Sequence, residues 1–270
     1  MTDAPVPADV VASIPGAAGA SWSRLASRSG AVWRVHRIFG PDVVVRVASD
    51  REVAAAAAAG AVDIGPAVFA TPPGWLVVEH LKGRHVFSLE LSRPTVLAEL
   101  ADLLARWHQA EVTLPEVPLA PARDAYRRGC PVGVLPDGLA SAMARAAAAE
   151  AILERASTHR VPSHLDVVAN VLATPAGLRL IDFEYAAAAD PARELGQVAW
   201  EAELDAHGAR QLIGSYGGAE VVEDDVAAWA WISGVTWTIW ALSRPDAEQW
   251  HQYAARSWER VQRHWSHALV

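Results

Sequence analysis

The sequence contains a single cysteine, a single lysine and no long uninterrupted apolar run. Cys130 stands alone among 270 residues, so no internal disulfide bond can form, which fits a reducing compartment. No segment reaches the roughly 18 apolar residues of a membrane-spanning helix, and the acidic N-terminus lacks the basic region of a secretory signal. We therefore expect a cytoplasmic protein with no membrane partner.

Positive charge is also scarce. The chain has 23 basic and 31 acidic residues, which gives a net charge of −8, and the basic residues form no stripe of the kind that reads a phosphate backbone. A negative surface attracts cationic ligands over long distances, although it also serves solubility alone. We therefore expect no nucleic-acid partner, and the charge is compatible with a small cationic, hydroxylated substrate.

Apolar residues make up 52% of the chain and charged residues 20%, which is enough for a sizeable folded core. Residues 1–20 are rich in Pro, Ala and Gly and predict a loose leader with at most one short helix. Residues 21–82 predict a small lobe in the order β-β-β-α-β-β, from apolar alternation, turn residues and one capped helix. Residues 83–270 show mainly helical spacing. The expected fold class is α+β, with a small β-rich N-lobe and a larger, mainly helical C-lobe.

Two short stretches of the C-lobe place polar side chains within apolar surroundings. In the first, SHLDVVAN (163–170), Asp166 lies four residues before Asn170, and in the second, LIDFEY (180–185), Asp182 ends an apolar run. Two acids and an amide that arrive from two loops can hold a divalent metal, because hard cations prefer oxygen ligands. The same residue types also occur as ordinary turn residues.

These stretches resemble the Brenner-type motif of the aminoglycoside phosphotransferase and choline kinase superfamily, in which His-x-Asp…Asn is followed by Ile-Asp-[Phe/Trp]-Glu. The resemblance covers about residues 20–265 and rests on the following residues: His164, Asp166, Asn170, Ile181, Asp182, Phe183, Glu184 and Tyr185. It implies a two-lobed protein-kinase-like fold with a nucleotide-binding N-lobe. It also implies an O-phosphotransferase that moves the γ-phosphate of ATP or GTP to a hydroxyl group with the help of Mg²⁺.

The resemblance assigns a role to each polar residue of the two stretches. Asp166 would accept or orient the proton of the substrate hydroxyl. Asn170 and Asp182 would hold Mg²⁺, and His164 would pack the loop. One departure from the family pattern affects Asn170, because three residues separate it from Asp166 where the family usually has four. Asn170 would therefore reach the metal from a shifted backbone or through a bridging water.

The third predicted strand carries Arg46 as its only cation. The resemblance makes Arg46 the group that holds the nucleotide phosphates, because the one lysine, Lys82, follows the hairpin at the lobe junction. An arginine offers phosphate a bidentate fork that lysine lacks. Glu52 opens the next helix and would pair with Arg46. The alternative for Glu52 is a solvent-exposed first-turn glutamate, favoured by the helix dipole.

Two further segments would contact the nucleotide. Ser29 and Gly30 lie where the phosphate-covering turn of the family belongs, although an ordinary hairpin turn has the same composition. The hinge between the lobes would offer backbone groups to a purine base through Glu79, His80 and Leu81.

The substrate side is predicted from the helical tail. Trp237, Trp240 and Tyr253 resemble the aromatic residues that enclose a quaternary ammonium in choline kinases, where a cation over an aromatic face gains about 0.5–2 kcal/mol. The helical spacing of the tryptophans equally fits an ordinary core stripe. Three further residues would reach the substrate from the motif and the helix after it: Glu184, Trp200 and Glu201.

Two substrate classes remain open. Acid clusters among the last helices, the shortened loop and a composition typical of GC-rich genomes favour a basic antibiotic, either an aminoglycoside or a cationic peptide, inactivated by phosphorylation. The tryptophan pair favours choline, ethanolamine or a related amino alcohol. We predict the antibiotic, with the amino alcohol as the alternative and a non-catalytic binder of a cationic ligand as a second one. A protein kinase is not expected, because the strand lysine and the HRD- and DFG-type motifs are absent.

Overall fold

The computed structural model describes residues 6–25, 32–131, 133, 135–218, 220–244 and 248–264. Its N-terminal elements are α1 (Ala8–Ala12), β1 (Ser21–Leu25), β2 (Val32–His36), β3 (Val43–Val47), α2 (Asp50–Ala61), β4 (Val68–Ala70) and β5 (Trp75–Glu79). The strands form one antiparallel sheet in the order β1-β2-β3-β5-β4. From β1 onward, this is the β-β-β-α-β-β order that the sequence predicts.

The segment before β1 packs against this sheet. Val10 and Ile14 are buried in one cluster with Val35 and Val43 of the strands. The single short helix is as expected, but the prediction of a loose leader is wrong for residues 6–20. Apolar side chains four residues apart lie on one side of the helical turn and cover an apolar face of the sheet that would otherwise meet water.

β3 and α2 bring two charged side chains together inside the small lobe. In β3, Val43 and Val45 are buried, and the alternation of a strand sends Arg46 to the opposite face. Ser49 caps α2 by accepting a hydrogen bond from the N–H of Glu52 at 3.3 Å, which fixes where the helix begins. The buried face of α2 has small side chains that permit close packing: Ala55, Ala56 and Ala59.

The C-terminal part is mainly helical. Its helices are α3 (Ser88–Leu91), α4 (Pro94–His108), α5 (Leu119–Gly129), α6 (Leu139–Ala156), α7 (Pro191–Glu201), α8 (Ala206–Tyr216), α9 (Glu223–Leu242) and α10 (Glu248–His264). Its strands are β6 (Arg84–His85), β7 (Val161–Ser163), β8 (Val171–Thr174), β9 (Gly177–Leu180) and β10 (Ala187–Ala189). They form two small sheets, β6-β8-β9 and β10-β7. The two polar stretches of the sequence lie in the loops that follow β7 and β9.

α9 is the central helix of this part, and α7 packs along it. An added Cβ at Gly196 of α7 would lie 2.6 Å from the Cβ of Trp229, so the missing side chain allows the two helices to touch. The end of α7 therefore reaches the half of α9 that carries Trp237. None of the described helices has both the length and the apolar character needed to cross a membrane.

Candidate active site

The loop after β7 is held by a buried histidine. His164 is 0% exposed, its Nε2 lies 2.8 Å from the carbonyl oxygen of Ile181, and its ring centre lies 4.7 Å from that of Phe183. Burial lowers the pKa of His164, which favours the neutral ring. The histidine thus joins the two polar stretches, and the packing role predicted for it is confirmed.

A buried glutamate from α7 holds the same loop from behind. The Oε1 atom of Glu194 accepts hydrogen bonds from the N–H groups of His164 and Leu165, and its Oε2 lies 2.6 Å from His108 Nε2. The Nδ1 of His108 in turn lies 2.8 Å from the hydroxyl of Tyr216. Burial alone would raise the pKa of Glu194, but the hydrogen bond with His108 and the charges nearby lower it. The glutamate is therefore ionised and anchors the backbone before Asp166.

Leu165 shows why that anchor is needed. Its φ angle is +60°, in the left-handed region that residues other than glycine rarely adopt. Such a conformation persists when neighbouring contacts over-determine it, and the bond between Leu165 N–H and Glu194 is one of them. Gln197 of α7 supplies another, because its Nε2 donates to Leu165 O at 2.7 Å. The turn directs the next residue, Asp166, toward the cleft.

Asp166 is a half-buried carboxylate in an acidic setting. Burial, followed by the charges of Glu201 and Asp182, raises the pKa of Asp166 to about 8. Asn170 opposes this rise, because its Nδ2 donates to both the carbonyl oxygen and Oδ2 of Asp166 at 2.8 Å. A short 3₁₀ helix over Val168–Asn170 brings the amide back to the aspartate within the shortened loop.

The second stretch meets the small lobe through Arg46. The Nη1 of Arg46 lies 2.5 Å from Asp182 Oδ1 and 3.2 Å from Glu52 Oε1, and its Nη2 lies 3.7 Å from Glu184 Oε2. The predicted pairing of Arg46 with Glu52 is confirmed, and the solvent-exposed alternative is wrong, because Glu52 is 4% exposed. Burial raises the pKa of Glu52 to about 7, although Arg46 lowers it in part. The arginine is thus held where the two lobes face each other.

The residues fit the magnesium ion that the kinase-like fold implies. In the described part of the chain, no group of three or more His, Cys, Asp or Glu side chains could hold a metal by itself. Mg²⁺ is commonly bound by one or two carboxylates together with phosphate oxygens of the nucleotide. Asp182 offers a carboxylate, and Asn170 offers an amide oxygen, since its amide nitrogen is bonded to Asp166.

The hinge between the two lobes has a backbone N–H group that a purine base could contact. It follows β5, which ends at Glu79. The N–H of His80 already donates to Asp42 O at 2.9 Å, whereas the N–H of Leu81 makes no backbone hydrogen bond within the described residues. Burial lowers the pKa of His80. The predicted phosphate turn at Ser29-Gly30 lies outside the residues that the structure describes.

The predicted substrate side centres on Glu201, the last residue of α7. Burial raises the pKa of Glu201 to about 7, while hydrogen bonds from Gln197 and Trp237 lower it. The Nε2 of Gln197 lies 2.9 Å from Glu201 Oε1 and also bonds Leu165 O, so one amide joins Glu201 to the loop that carries Asp166. The structure therefore brings Glu201 close to Asp166, and the side of the cleft that these two residues share is called the pocket.

Aromatic side chains of α9 and α10 form the wall beside Glu201. Trp237 packs edge-to-face on Trp240 at 5.6 Å between ring centres, Trp240 on Trp250 at 4.8 Å, and Trp250 on Tyr253 at 6.5 Å. All four are partly buried and partly accessible. Trp250 was not among the predicted site residues, because its spacing of eight from Trp258 suggested a core stripe. The three predicted aromatic residues are brought together.

Two other predicted substrate residues lie elsewhere. Trp200 is 3% exposed, and its ring packs on Gly234, where an added Cβ would lie 2.4 Å from the ring, and under Arg260 at 4.1 Å. It supports the pocket from behind, because α7 and α9 approach closely at that glycine. Glu184 has its carboxylate beside Arg46, on the side of the cleft assigned to the nucleotide.

The acid clusters of the sequence do not gather at this pocket. Three acids occupy the first turn of α9: Glu223, Asp224 and Asp225. They lie roughly 20 Å along the helix from Trp237 and Trp240, at 1.5 Å per residue. Elsewhere, Asp205 caps α8 and Glu203 lies 3.9 Å from Arg260. Glu201 is the acid of this region that contacts the aromatic wall.

A β-rich lobe that presents a half-buried arginine to two loop carboxylates of a helical lobe is typical of a kinase-like phosphotransferase. The sequence agrees with this class, since the model of the phosphotransferase enzyme family (APH) matches residues 25–235. The chain belongs to that family. The predicted family and the predicted enzyme class are thereby confirmed.

Solved structures confirm the predicted fold. A choline/ethanolamine kinase family protein from Mesorhizobium loti is 23% identical, with a TM-score of 0.76 over 94% of this chain and 92% of that one. The choline kinase of Streptococcus pneumoniae is 15% identical, with a TM-score of 0.73 over 94% and 97%. A putative aminoglycoside phosphotransferase from Ralstonia eutropha is 13% identical, with a TM-score of 0.71 over 92% of each chain. No curated protein matches the sequence.

Proposed function

We propose that this enzyme transfers the γ-phosphate of a purine nucleoside triphosphate to the hydroxyl of a small, singly charged amine of the amino alcohol type. One observation carries the proposal. Glu201 and Asp166 are joined through Gln197 beside an aromatic wall, which places a cation-binding carboxylate next to a proton acceptor. A molecule with an ammonium group and a nearby hydroxyl matches both groups at once.

The nucleotide side follows from Arg46. Its guanidinium would hold phosphate oxygens, with Glu52 as the group that orients it. Asp182 and Asn170 would hold Mg²⁺, which when bound neutralises charge on the transferring phosphoryl group. Two proteins of similar fold support the binding of a nucleotide, because LicA was solved with AMP and a spectinomycin phosphotransferase with ADP. The N–H of Leu81 is the hinge donor offered to the base.

Asp166 would act as the base. A general base works best when its pKa lies near the working pH, and burial with the charges of Glu201 and Asp182 raises the pKa of Asp166 to about 8. An acceptor ammonium beside Glu201 would offset that carboxylate and lower the pKa of Asp166. The substrate would thus favour the ionised base that accepts its own hydroxyl proton, while Asn170 keeps the carboxylate oriented.

The amino alcohol is preferred over the basic antibiotic for an electrostatic reason. A polycation needs several carboxylates along its length, and most of the acids that suggested one lie at the far end of α9, cap α8, pair with Arg260 or hold the loop before Asp166. Glu201 provides one negative charge beside four aromatic rings, which suits one ammonium group. A non-catalytic binder would give no turnover with any acceptor, and the bond between Asn170 and Asp166 in the shortened loop favours the enzyme, because it leaves the amide oxygen of Asn170 available to a metal.

The test is a phosphotransfer assay with Mg²⁺ and either ATP or GTP. The acceptors are choline, ethanolamine and 3-aminopropanol in one set, and kanamycin, spectinomycin and a cationic peptide in the other. Asp166→Asn serves as the inactive control. We expect phosphorylated product from the first set with the unaltered enzyme alone. Product from the second set, with none from the first, would refute the proposed acceptor class.

A further inference from the structure

Arg244 lies at the aromatic wall, and its guanidinium contacts an aromatic ring. Its guanidinium carbon lies 4.8 Å from the centre of the Trp240 ring. It directly follows the end of α9, where its N–H donates to Ala241 O at 3.1 Å. Within the described residues no carboxylate pairs with it, whereas Arg46 and Arg260 both have carboxylate partners.

Two tyrosines, Tyr126 and Tyr185, are near enough to feel the charges of both Arg244 and Asp166. The last turn of α5 packs against the end of α9, which brings Tyr126 to this side of the pocket. Tyr185 follows the second motif stretch and is 37% exposed. Burial raises the pKa of both tyrosines, the charge of Asp166 raises it further, and the charge of Arg244 lowers it. The charges of Asp166 and Arg244 therefore both affect the hydroxyl groups of Tyr126 and Tyr185.

The pocket thus has an acidic side chain at one end and a basic side chain at the other. Glu201 is half-buried at its inner end, and Arg244 is exposed at its mouth. Since Arg244 covers a face of Trp240, a substrate cation has Glu201, Trp237 and Tyr253 left to bind. A ligand with positive charge alone would be repelled at the mouth and would leave Arg244 without a partner.

We propose that Arg244 binds a carboxylate of the acceptor, and that the preferred acceptor is an amino alcohol that also carries a carboxylate, that is, a hydroxylated amino acid. Its ammonium group would pair with Glu201, its carboxylate with Arg244, and its hydroxyl would reach Asp166 between them. This inference rests on the proposed phosphotransfer to a hydroxylated amine and specifies the substrate class. Arginine suits this role, because its planar fork binds a carboxylate through two parallel hydrogen bonds.

Matched acceptor pairs test the proposal, since each pair differs by one carboxylate: serine and ethanolamine, homoserine and 3-aminopropanol, carnitine and choline. The enzymes are the unaltered protein, Arg244→Gln, and Arg155→Gln as a control, because Arg155 is exposed on α6.

We expect a higher kcat/KM for the carboxylated member of the preferred pair. Arg244→Gln should lower kcat/KM of the carboxylated member by roughly 10- to 100-fold, the effect of a charge-assisted hydrogen bond. The KM for the nucleotide should stay unchanged, and the kcat/KM of the other member should not fall, because the repulsion at the mouth is removed. Arg155→Gln should behave like the unaltered enzyme.

Equal or better turnover of the members without a carboxylate, unaffected by Arg244→Gln, would overturn the proposal while the proposed function stands. Absence of turnover with every pair would instead contradict the proposed function. The anion site is then tested by calorimetric titration of the same pairs into the unaltered protein and Arg244→Gln. Tighter binding of the carboxylated members, lost in the variant, supports the site, and equal affinities refute it.

Discussion

Asp182 and Arg46 touch across the cleft, with 2.5 Å between Oδ1 and Nη1, although 136 residues separate them in the chain. Asp182 leaves β9 with a φ of +63°, and Arg46 is held from behind by Glu52. The contact pairs the residue proposed to hold Mg²⁺ with the residue proposed to hold the phosphates. A bound triphosphate would therefore replace part of this ion pair with its own charges.

We predict that Arg46→Gln raises the KM for the nucleotide about tenfold or more, because a bidentate charge-assisted contact with phosphate is lost. Arg46→Lys should recover only part of the loss, since an ammonium group lacks the planar fork. Steady-state kinetics with varied nucleotide and fixed acceptor would measure both effects, with Arg155→Gln as the control. An unchanged KM for the nucleotide in Arg46→Gln would contradict the role of Arg46.

Asp166→Asn should lower kcat by roughly 10²- to 10⁴-fold, the usual contribution of a general base.

The same change, Asp166→Asn, should stabilise the fold at high pH. The folded-state pKa of Asp166, about 8, lies above the ordinary value of 3.8, so the folded protein holds a proton that the unfolded chain releases. Stability then falls as the pH rises from about 4 to about 8, and the amide removes this loss.

Thermal unfolding of both proteins at about pH 5 and about pH 9 checks the second part of that prediction. The gain in Tm of Asp166→Asn over the unaltered protein should be larger at the higher pH. A gain that is equal at both pH values would show that the Asp166 carboxylate is not destabilised by burial and by the charges of Glu201 and Asp182.

Glu201→Gln should change both substrate binding and the pH profile. Loss of its charge should raise the KM of the acceptor, because the ammonium group loses its partner. The charge of Glu201 also helps to raise the pKa of Asp166, so the acid limb of the kcat/KM profile should move to lower pH in the variant. Glu203→Gln is the matched control, two residues away and paired with Arg260. An acid limb that stays in place would refute the coupling of the two carboxylates.

The sequence was informative wherever the local pattern alone decides the structure. A continuous run of valines with one arginine predicts a buried strand over 42–48, and the structure has β3 at Val43–Val47. The capped alanine helix predicted over 50–62 is observed at Asp50–Ala61. In both places the pattern, the turn residues and the final packing agree, so no tertiary contact has to override local preference.

α5 was missed because prolines suggested a connector over 114–122. The structure begins this helix at Leu119, with Pro118 as the N-cap and Pro121 in the first turn. Proline is tolerated there, since the first N–H groups of a helix have no partner within it. A proline-rich stretch can therefore begin a helix as readily as it connects two.

The anchor of the catalytic loop was missed for a different reason. His108 and Glu194 are 86 residues apart, and each lies within an apolar helical stripe. A charged residue in an apolar segment, such as Glu194, indicates a hydrogen-bonding partner elsewhere in the chain, because buried charged side chains are almost always paired. The packing of α4 against α7 determines that this partner is His108. Local sequence patterns do not predict how two helices pack. Helix packing also decides which tryptophans are accessible. Trp200 is buried because its ring packs against Gly234, and this contact is not visible in the local sequence pattern.

Glu194→Gln tests this anchor. The amide keeps the size of the side chain but removes the charge that both backbone N–H groups and His108 contact. Since a hydrogen bond to a charged group contributes about 1.5–3 kcal/mol, we expect a clear drop in Tm. Because Leu165 depends on this contact for its left-handed φ, kcat should also fall by at least about tenfold, while the KM for the nucleotide stays the same. Tyr216→Phe is the milder control, since it removes one hydroxyl at the far end of the network, a change of about 1 kcal/mol. A Glu194→Gln enzyme with normal kcat, measured well below its Tm, would show that the loop holds Asp166 without the anchor.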